Sequence, residues 1–278
     1  MNKRKLGNSS LYVSEIGLGC MSLSPESADI ARLIDMAIEG GINFFDTADL
    51  YNRGRNEEWL GKAVSNRRKE VIISTKVGNQ WRADGSGWDW NPTGAYIMQA
   101  IDQSLKRLQT DYIDLYQLHG GTMEDNMPEI VDTFETLQKQ GKIRFFGISS
   151  IRPAVIERYA KEEKISSVMM QYSLLDKSPE AGSLDLLHQH GISVLARGVL
   201  AKGLLAGKPA AAYKDLPEED VLSIQQKTLQ QHPGKSLEAA ALNYVLQQPA
   251  VASAIVGIRT EEQLKSALAA NQQRQEKP

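Results

Sequence analysis

The sequence predicts an α/β protein built as a (β/α)8 TIM barrel with an N-terminal β-hairpin, and three observations carry that prediction. Short apolar, β-branched runs alternate with longer amphipathic stretches, the pattern of βαβ units and a parallel sheet. The runs are nearly continuous in their apolar character, as in strands covered on both faces. Eight such runs occur, each followed by a helical pattern. A doubly wound open sheet is the rival arrangement. With 278 residues the chain is long enough for two ordinary domains, but barrels of about 250 residues fold as one. No Pro/Gly/Ser linker divides it, so residues 1–278 read as a single barrel domain.

In chain order, Leu6–Val13 reads as the hairpin, turning at Gly7-Asn8-Ser9-Ser10 and placed to plug the barrel floor. The predicted strands are Ile16–Gly19, Asn43–Asp46, Val71–Lys76, Ile113–His119, Ile143–Ile148, Val168–Gln171, Ser193–Arg197 and Ala254–Val256. The predicted helices are Ala28–Glu39, Glu57–Val64, Gly94–Leu108, Met127–Gln140, Pro153–Lys161, Ser183–His190, Leu237–Gln247 and Glu261–Ala270. Gly207–Leu216, with Pro209 and an alanine run, reads as an enlarged loop after the seventh strand. The polar tail Asn271–Pro278 reads as frayed.

Composition narrows the function. Basic and acidic residues number 32 and 34, a net charge of −2, without the basic excess usual in nucleic-acid proteins. One cysteine, Cys20, excludes a disulfide framework within the chain and any cysteine-only zinc cluster. No segment reaches the roughly 20 apolar residues of a membrane span, and the basic start has no apolar run behind it, unlike a secretory signal. The expectation is a cytoplasmic protein that engages neither membrane nor nucleic acid.

In a barrel the chemistry sits at the carboxyl ends of the strands. Here those positions are Cys20, Asp46, Lys76, His119, Ser149, Gln171, Arg197 and Gly257. A lone Asp there is equally a helix cap, and a lone His a hydrogen-bonded structural residue. Lys76 closes the apolar run Val71-Ile72-Ile73-Ser74-Thr75-Lys76, so it will be partly buried and needs an anionic partner. Asp46, on the neighbouring strand, is the candidate; a purely structural salt bridge is the plainer alternative. Tyr51 follows Asp46 by five residues. A phenol beside an ammonium is a usable general acid, its pKa drawn from about 10 toward neutrality. Neutral His119 would orient a substrate oxygen. Such a set serves a reaction in which an oxyanion develops and is protonated, as in carbonyl reduction by hydride.

These residues carry a resemblance. Gly17-Leu18-Gly19-Cys20-Met21, Asp46-Thr47-Ala48-Asp49-Leu50-Tyr51 with Asn56-Glu57-Glu58 and Leu60-Gly61, Ser74-Thr75-Lys76, and Arg107 to Leu115 running on to His119 match one family in order and spacing. Gly147-Ile148-Ser149-Ser150, Gln171-Tyr172-Ser173 and Gly257-Ile258-Arg259-Thr260 complete the match. The chain resembles the aldo-keto reductases over nearly its whole length, especially bacterial NADPH-dependent members with His-Gly-Gly after the fourth strand. The resemblance implies Tyr51 as proton donor, Asp46 and Lys76 as its activators and His119 as the group that positions the carbonyl. It implies NADPH (NADP+) as cofactor, with NADH less favoured, no metal, and a small-molecule aldehyde or ketone as substrate. No Gly-x-Gly-x-x-Gly opens a helix, in keeping with a nicotinamide cofactor bound without a Rossmann fold.

By the same resemblance the cofactor positions are Gly19, Cys20, Met21, Asp46, Ser149, Ser150, Gln171, Arg197, Gly198, Leu200, Lys202, Gly203, Gly257, Arg259, Thr260 and Gln263. Ser149 and Gln171 match the residues that hold the carboxamide, and Gly198–Lys208 the loop that covers the pyrophosphate. Arg259 would pair with a 2′-phosphate. Three positions depart from the pattern: Ser150 stands for Asn, Arg197 for a stacking Tyr, and Ala267 for an Asn that touches adenine. Many relatives also continue into a further helix and tail, whereas this chain ends at Pro278, an ending that would leave the lower packing or the substrate wall bare. Trp81, Trp88 and Trp90 either wall an apolar or aromatic substrate or pin their loop to the barrel. Arg53 and Arg55 either draw in an anionic group or are solvated. Met21 and Leu23 would complete the wall. A monomer or weak homo-oligomer is expected. The alternative from another class is an NADPH-binding regulatory or redox-sensing subunit, as in the potassium-channel β subunits this family resembles.

Overall fold

The computed structural model describes residues 1–26, 29–162 and 164–276. Among them, eight parallel strands close a barrel: β3 (Ile16–Gly19), β4 (Phe44–Asp46), β5 (Ile72–Val77), β8 (Ile113–Leu118), β9 (Ile143–Ser149), β10 (Ser167–Gln171), β11 (Ser193–Arg197) and β12 (Val251–Gly257), with β12 returning to β3. This is the predicted barrel, and the open sheet is excluded by its closure. Outside it pack α1 (Ile30–Glu39), α2 (Arg55–Val64), α3 (Gly94–Leu108), α4 (Met127–Lys139), α5 (Pro153–Ala160), α6 (Ser183–Gln189), α8 (Leu237–Leu246) and α9 (Glu261–Gln275). Helix starts follow local chemistry. The Asp29, Thr93, Asn126, Ser236 and Thr260 side chains each accept from a backbone N–H in the first turn of the helix they precede. The predicted first residue of α1, Ala28, lies outside the described residues.

Four elements differ from the sequence reading. The N-terminal hairpin is β1 (Lys3–Lys5) paired antiparallel with β2 (Tyr12–Ser14). The segment read as hairpin is mostly its connection, closed by Leu6 N–H to Leu11 O at 2.9 Å. A second hairpin, β6 (Asn79–Trp81) with β7 (Trp88–Trp90), stands where an irregular loop was expected. Its strands are three residues long and are separated by Gly85 and Gly87, so their alternation is too short to register. A further helix, α7 (Glu218–Gln231), follows the long loop after β11. It escapes a periodicity reading because Gln225 and Thr228 share its inner face with Val221; Gln225 Nε2 donates to Leu204 O at 2.6 Å. Finally, α9 runs to Gln275, so the part of the expected frayed tail up to that residue is helical. Lys277 and Pro278 lie outside the described residues.

Two cores result. The inner one fills the barrel with Phe44, Ile72, Leu115, Met169, Leu195, Ala252 and Ile255, closed below by Leu6, Leu11 and Val13 around the N-terminal hairpin. That is the predicted plug. The outer one packs the opposite strand faces, such as Phe45, Ile73 and Val194, against the helices.

Far from the strand ends that carry the chemistry, Glu15 clamps the base. It is 4% exposed, accepts from Arg4 Nε at 2.8 Å and Gln275 Nε2 at 3.2 Å, and is paired with Arg274. Burial would raise its pKa, but the two guanidinium groups outweigh it and hold the carboxyl below the usual glutamate value. The end of α9 is thus fastened to the chain's first strands, and the base is not bare. Glu15→Gln leaves Arg274 buried against a neutral group and is expected to cost about 3 kcal/mol. Denaturant unfolding monitored by circular dichroism checks it, and an unchanged midpoint would show the clamp to be energetically idle.

Candidate active site

Side chains alternate in direction along a strand, so every second residue enters the barrel. Asp46, the last residue of β4, is the register partner of Ser74 on β5, and Lys76 follows Ser74 by two on the same face. Asp46 and Lys76 are thereby forced together. The Lys76 ammonium is fully buried and donates to Asp46 Oδ2 at 2.7 Å, Thr47 O at 2.6 Å and Tyr51 Oη at 3.3 Å. All three donors of the ammonium are used. Below, Ser74 Oγ donates to Asp46 Oδ1 at 3.0 Å, and Gln117 Nε2 donates to Ser74 Oγ at 2.7 Å. This relay holds the carboxylate from the side away from lysine.

Electrostatics follow from burial. Desolvation pulls Lys76 down, yet Asp46 and the Tyr51 phenol outweigh it and hold the ammonium above the usual lysine value. Desolvation raises the Asp46 carboxyl, with Lys76 and Ser74 pulling against it. Both partners shift upward, and the 2.7 Å contact identifies the state as ammonium with carboxylate.

Tyr51 opens a 3-10 turn, Tyr51–Gly54, directly after β4, and its backbone N–H donates to Ala48 O at 3.1 Å. His119 follows β8, its N–H bonded to Val77 O at 2.7 Å. The two rings meet edge-on, centroids 5.9 Å apart at 86°. Burial, and then the charges of Lys76 and Arg197, push His119 down to about 3, so the imidazole is neutral at physiological pH. Its Nδ1 is buried with no hydrogen-bond partner among the described residues. The four residues singled out from the sequence therefore share one rim.

The remaining predicted positions ring the same end of the barrel. Gly19, Ser149, Gln171, Arg197 and Gly257 each end a strand. Cys20 and Met21 form a 3-10 turn after β3; the Cys20 thiol is buried, and desolvation drives its pKa well up, so it is inert. Ser150 is buried, and its Oγ accepts from Arg152 N–H at 3.2 Å. Gly198, Leu200, Lys202 and Gly203 lie in the loop after β11, where Gly198, Lys202 and Gly203 have φ of 68°, 58° and 95°. Arg259 is exposed, Thr260 caps α9, and Gln263 in its first turn accepts from Arg259 N–H at 2.8 Å. Ala267 is fully buried in the outer core. Three partners went unnoticed in the sequence: Ser74, Gln117 and Tyr213. Tyr213 Oη accepts from Gln171 Nε2 at 2.7 Å, while Gln171 Oε1 accepts from Arg197 at 3.3 Å. Ser74 and Gln117 had a usable signal, being polar residues at inward positions of apolar strands. Tyr213 had none, since it arrives from a loop 42 residues away.

The model of the Aldo/keto reductase family matches residues 15–276. The Uncharacterized oxidoreductase YqkF of Bacillus subtilis (strain 168) is 50% identical over 99% of this chain and 92% of its own length. The Aldo-keto reductase yakc [NADP(+)] of Schizosaccharomyces pombe is 35% identical over 78% of this chain and 66% of that protein. Among solved structures, the holo form of aldo-keto reductase AKR11C1 from Bacillus halodurans is 44% identical, covers 99% of this chain and 94% of that one, and superposes with a TM-score of 0.92. Its apo form superposes at 0.85, covering 100% and 92% at 42% identity. Among the described residues no helix is long and apolar enough to cross a membrane, and no cluster of His, Cys, Asp and Glu could hold a metal ion.

The depressed His119 value has a consequence for stability. In the unfolded chain a histidine takes its proton near pH 6.5, whereas in the folded protein His119 does so only at about 3. Between those values the unfolded state binds more protons, so stability falls as pH falls, by up to about 1.4 kcal/mol per pH unit. His119→Gln should flatten the decline in Tm between pH 6.5 and 4, measured by calorimetry against wild type; parallel declines would contradict the neutral assignment.

Proposed function

This chain belongs to the aldo/keto reductase family and is an oxidoreductase; we propose that it reduces small aldehydes or ketones to alcohols with NADPH, using Tyr51 as the proton donor. The observation that carries the proposal is the buried Lys76 ammonium held between the Asp46 carboxylate and the Tyr51 hydroxyl. A carbonyl oxygen seated between Tyr51 and His119 accepts from the phenol and from the N–H of a neutral imidazole. As negative charge grows on that oxygen, Tyr51 passes its proton across. The phenolate left behind faces an ammonium 3.3 Å away, in surroundings where burial magnifies the attraction. Asp46 keeps that ammonium charged, and Ser74 with Gln117 keeps Asp46 in place.

The rim suits a nicotinamide cofactor. Ser149 and the Gln171 carboxamide are polar groups at the mouth, matched in chemistry to a carboxamide. A Cβ on Gly257 would meet only Ser22 Oγ, at 3.8 Å, so that edge is open. The left-handed backbone at Gly198 and Lys202–Gly203 suits a loop over a pyrophosphate, and α9 begins with Arg259 exposed beside its amide groups. When bound, the cofactor supplies hydride to the carbonyl carbon. The better superposition on the holo form of the Bacillus halodurans enzyme supports a loaded arrangement of these loops. The fission-yeast relative's printed NADP(+) supports the phosphorylated cofactor. Of the departures, Ala267 offers no polar atom and faces the core.

Tyr51→Phe should lower kcat by about 10²–10⁴ with little change in NADPH affinity. NADPH absorbance with a nitrobenzaldehyde, together with fluorescence titration of the cofactor, measures both, and wild-type turnover by the variant would refute the assignment. Arg259→Ala should weaken NADPH about tenfold or more, the worth of one charge-assisted hydrogen bond, and leave NADH unaffected. Equal weakening of both would remove Arg259 from 2′-phosphate recognition.

A further inference from the structure

The hairpin β6–β7 has no part in the reaction as described, yet its hydrogen bonds lead to both proton-handling residues. Asn79 Nδ2 donates to the main-chain oxygen of His119 at 3.0 Å. Trp81 Nε1 donates at 3.3 Å to Leu50 O, the carbonyl of the peptide bond that leads into Tyr51. Asn79 and Trp81 are two apart on one strand and so share a face. We propose that β6 is a positioning element that sets the separation of Tyr51 and His119, with Asn79 and Trp81 acting through those two residues. The proposal rests on the reading of Tyr51 and His119 given above.

Both attachment points need external support. After Tyr51 the chain passes through Asn52 and Arg53 at φ of 51° and 56°, a left-handed conformation that non-glycine residues rarely adopt and that persists only when neighbours hold it. The holder is the hairpin: Arg53 Nη2 donates to Gly85 O at 2.9 Å, and its guanidinium lies 5.0 Å from the centroid of the Trp81 ring. On the other side, the His119 Nδ1 atom has no hydrogen-bond partner, so the ring depends on its backbone for position. That backbone is gripped twice. Asn79 holds its carbonyl. Trp90, on β7, donates to Asp125 Oδ1 at 2.8 Å, and Asp125 accepts from Thr122 N–H at 2.6 Å in the loop after His119. The Trp90 ring lies so close to Gly78 and Gly120 that a Cβ would come within 2.7 Å and 3.2 Å of it. Lys76 governs only the Tyr51 hydroxyl. The spacing between that hydroxyl and the imidazole is therefore decided by the strand bonded to both supports.

A substrate oxygen must reach both groups at once, and a displacement of about 1 Å costs roughly a hundredfold in rate. Trp81→Phe keeps an aromatic ring and removes only the donor. It should slow single-turnover carbonyl reduction about 10- to 100-fold while the NADPH Kd holds within about threefold. In a Tyr51→Phe background the same change should cost less than about threefold, because the residue it acts through is already gone. Without cofactor, amide hydrogen exchange at residues 50–53 should quicken at least about tenfold in Trp81→Phe and stay unchanged in α9. Asn79→Ala is the second variant and should lose rate in the same way with Tyr51 intact. A full loss repeated in the Tyr51→Phe background, or wild-type rates and exchange in both hairpin variants, overturns the proposal. Tyr51→Phe itself retaining wild-type turnover would instead remove the reading on which it rests.

Discussion

A lysine ammonium sealed inside a barrel is the constraint on which the site turns. Removing such a charge from water costs several kcal/mol, so Lys76 is tolerable only with its partners in place. Asp46 reaches it because β4 and β5 pair in a register that sets Asp46 beside Ser74. Thr47 and Tyr51 reach it because the chain turns sharply after β4. A shift of one residue in that register would turn Asp46 out of the barrel and leave the ammonium alone. Closure of the sheet enforces the register, and the need to satisfy one charge thereby ties the geometry of the phenol to the integrity of the whole barrel.

Stability and chemistry are separated along the barrel axis. At the floor, Leu6, Leu11 and Val13 seal the inner core, and Glu15 binds Arg4 and Arg274 from the two ends of the chain. At the rim, polar and ionisable residues end the strands. The inner core between them is apolar, so water does not reach the ion pair from below. The result is a rigid cup whose mouth can carry strained turns and a depressed histidine, because the energy that holds it comes from elsewhere.

The rim is furnished by loops of unequal reach. The loop after β11 folds back so that Tyr213 meets Gln171, which in turn meets Arg197. The hairpin after β5 leans on the turns that carry Tyr51 and His119. These additions lie where the eightfold repeat is interrupted, between β5 and α3 and between β11 and α8. They distinguish this reductase from a bare barrel without altering the strands that present the reacting groups.

Strand order, the inward polar residues and the family motifs were all readable from the chain, because each depends on local alternation or short-range spacing. Asp46, Lys76 and His119 stand out as ionisable ends of apolar runs, and Tyr51 by its place five residues after Asp46. Other features were not readable, for a common reason. Helix α7 is amphipathic only with respect to a loop that folds beneath it, and Gln225 looks exposed until Leu204 arrives to accept its hydrogen bond. The hairpin strands are too short to show a period and are held by Leu50, His119 and Asp125, far away in sequence. Arg274 looks like frayed tail until Glu15 meets it from the other end of the chain. Alternation and spacing are properties of one segment and can be read along it. Pairing between distant segments exists only once the barrel closes and brings them within a few ångströms.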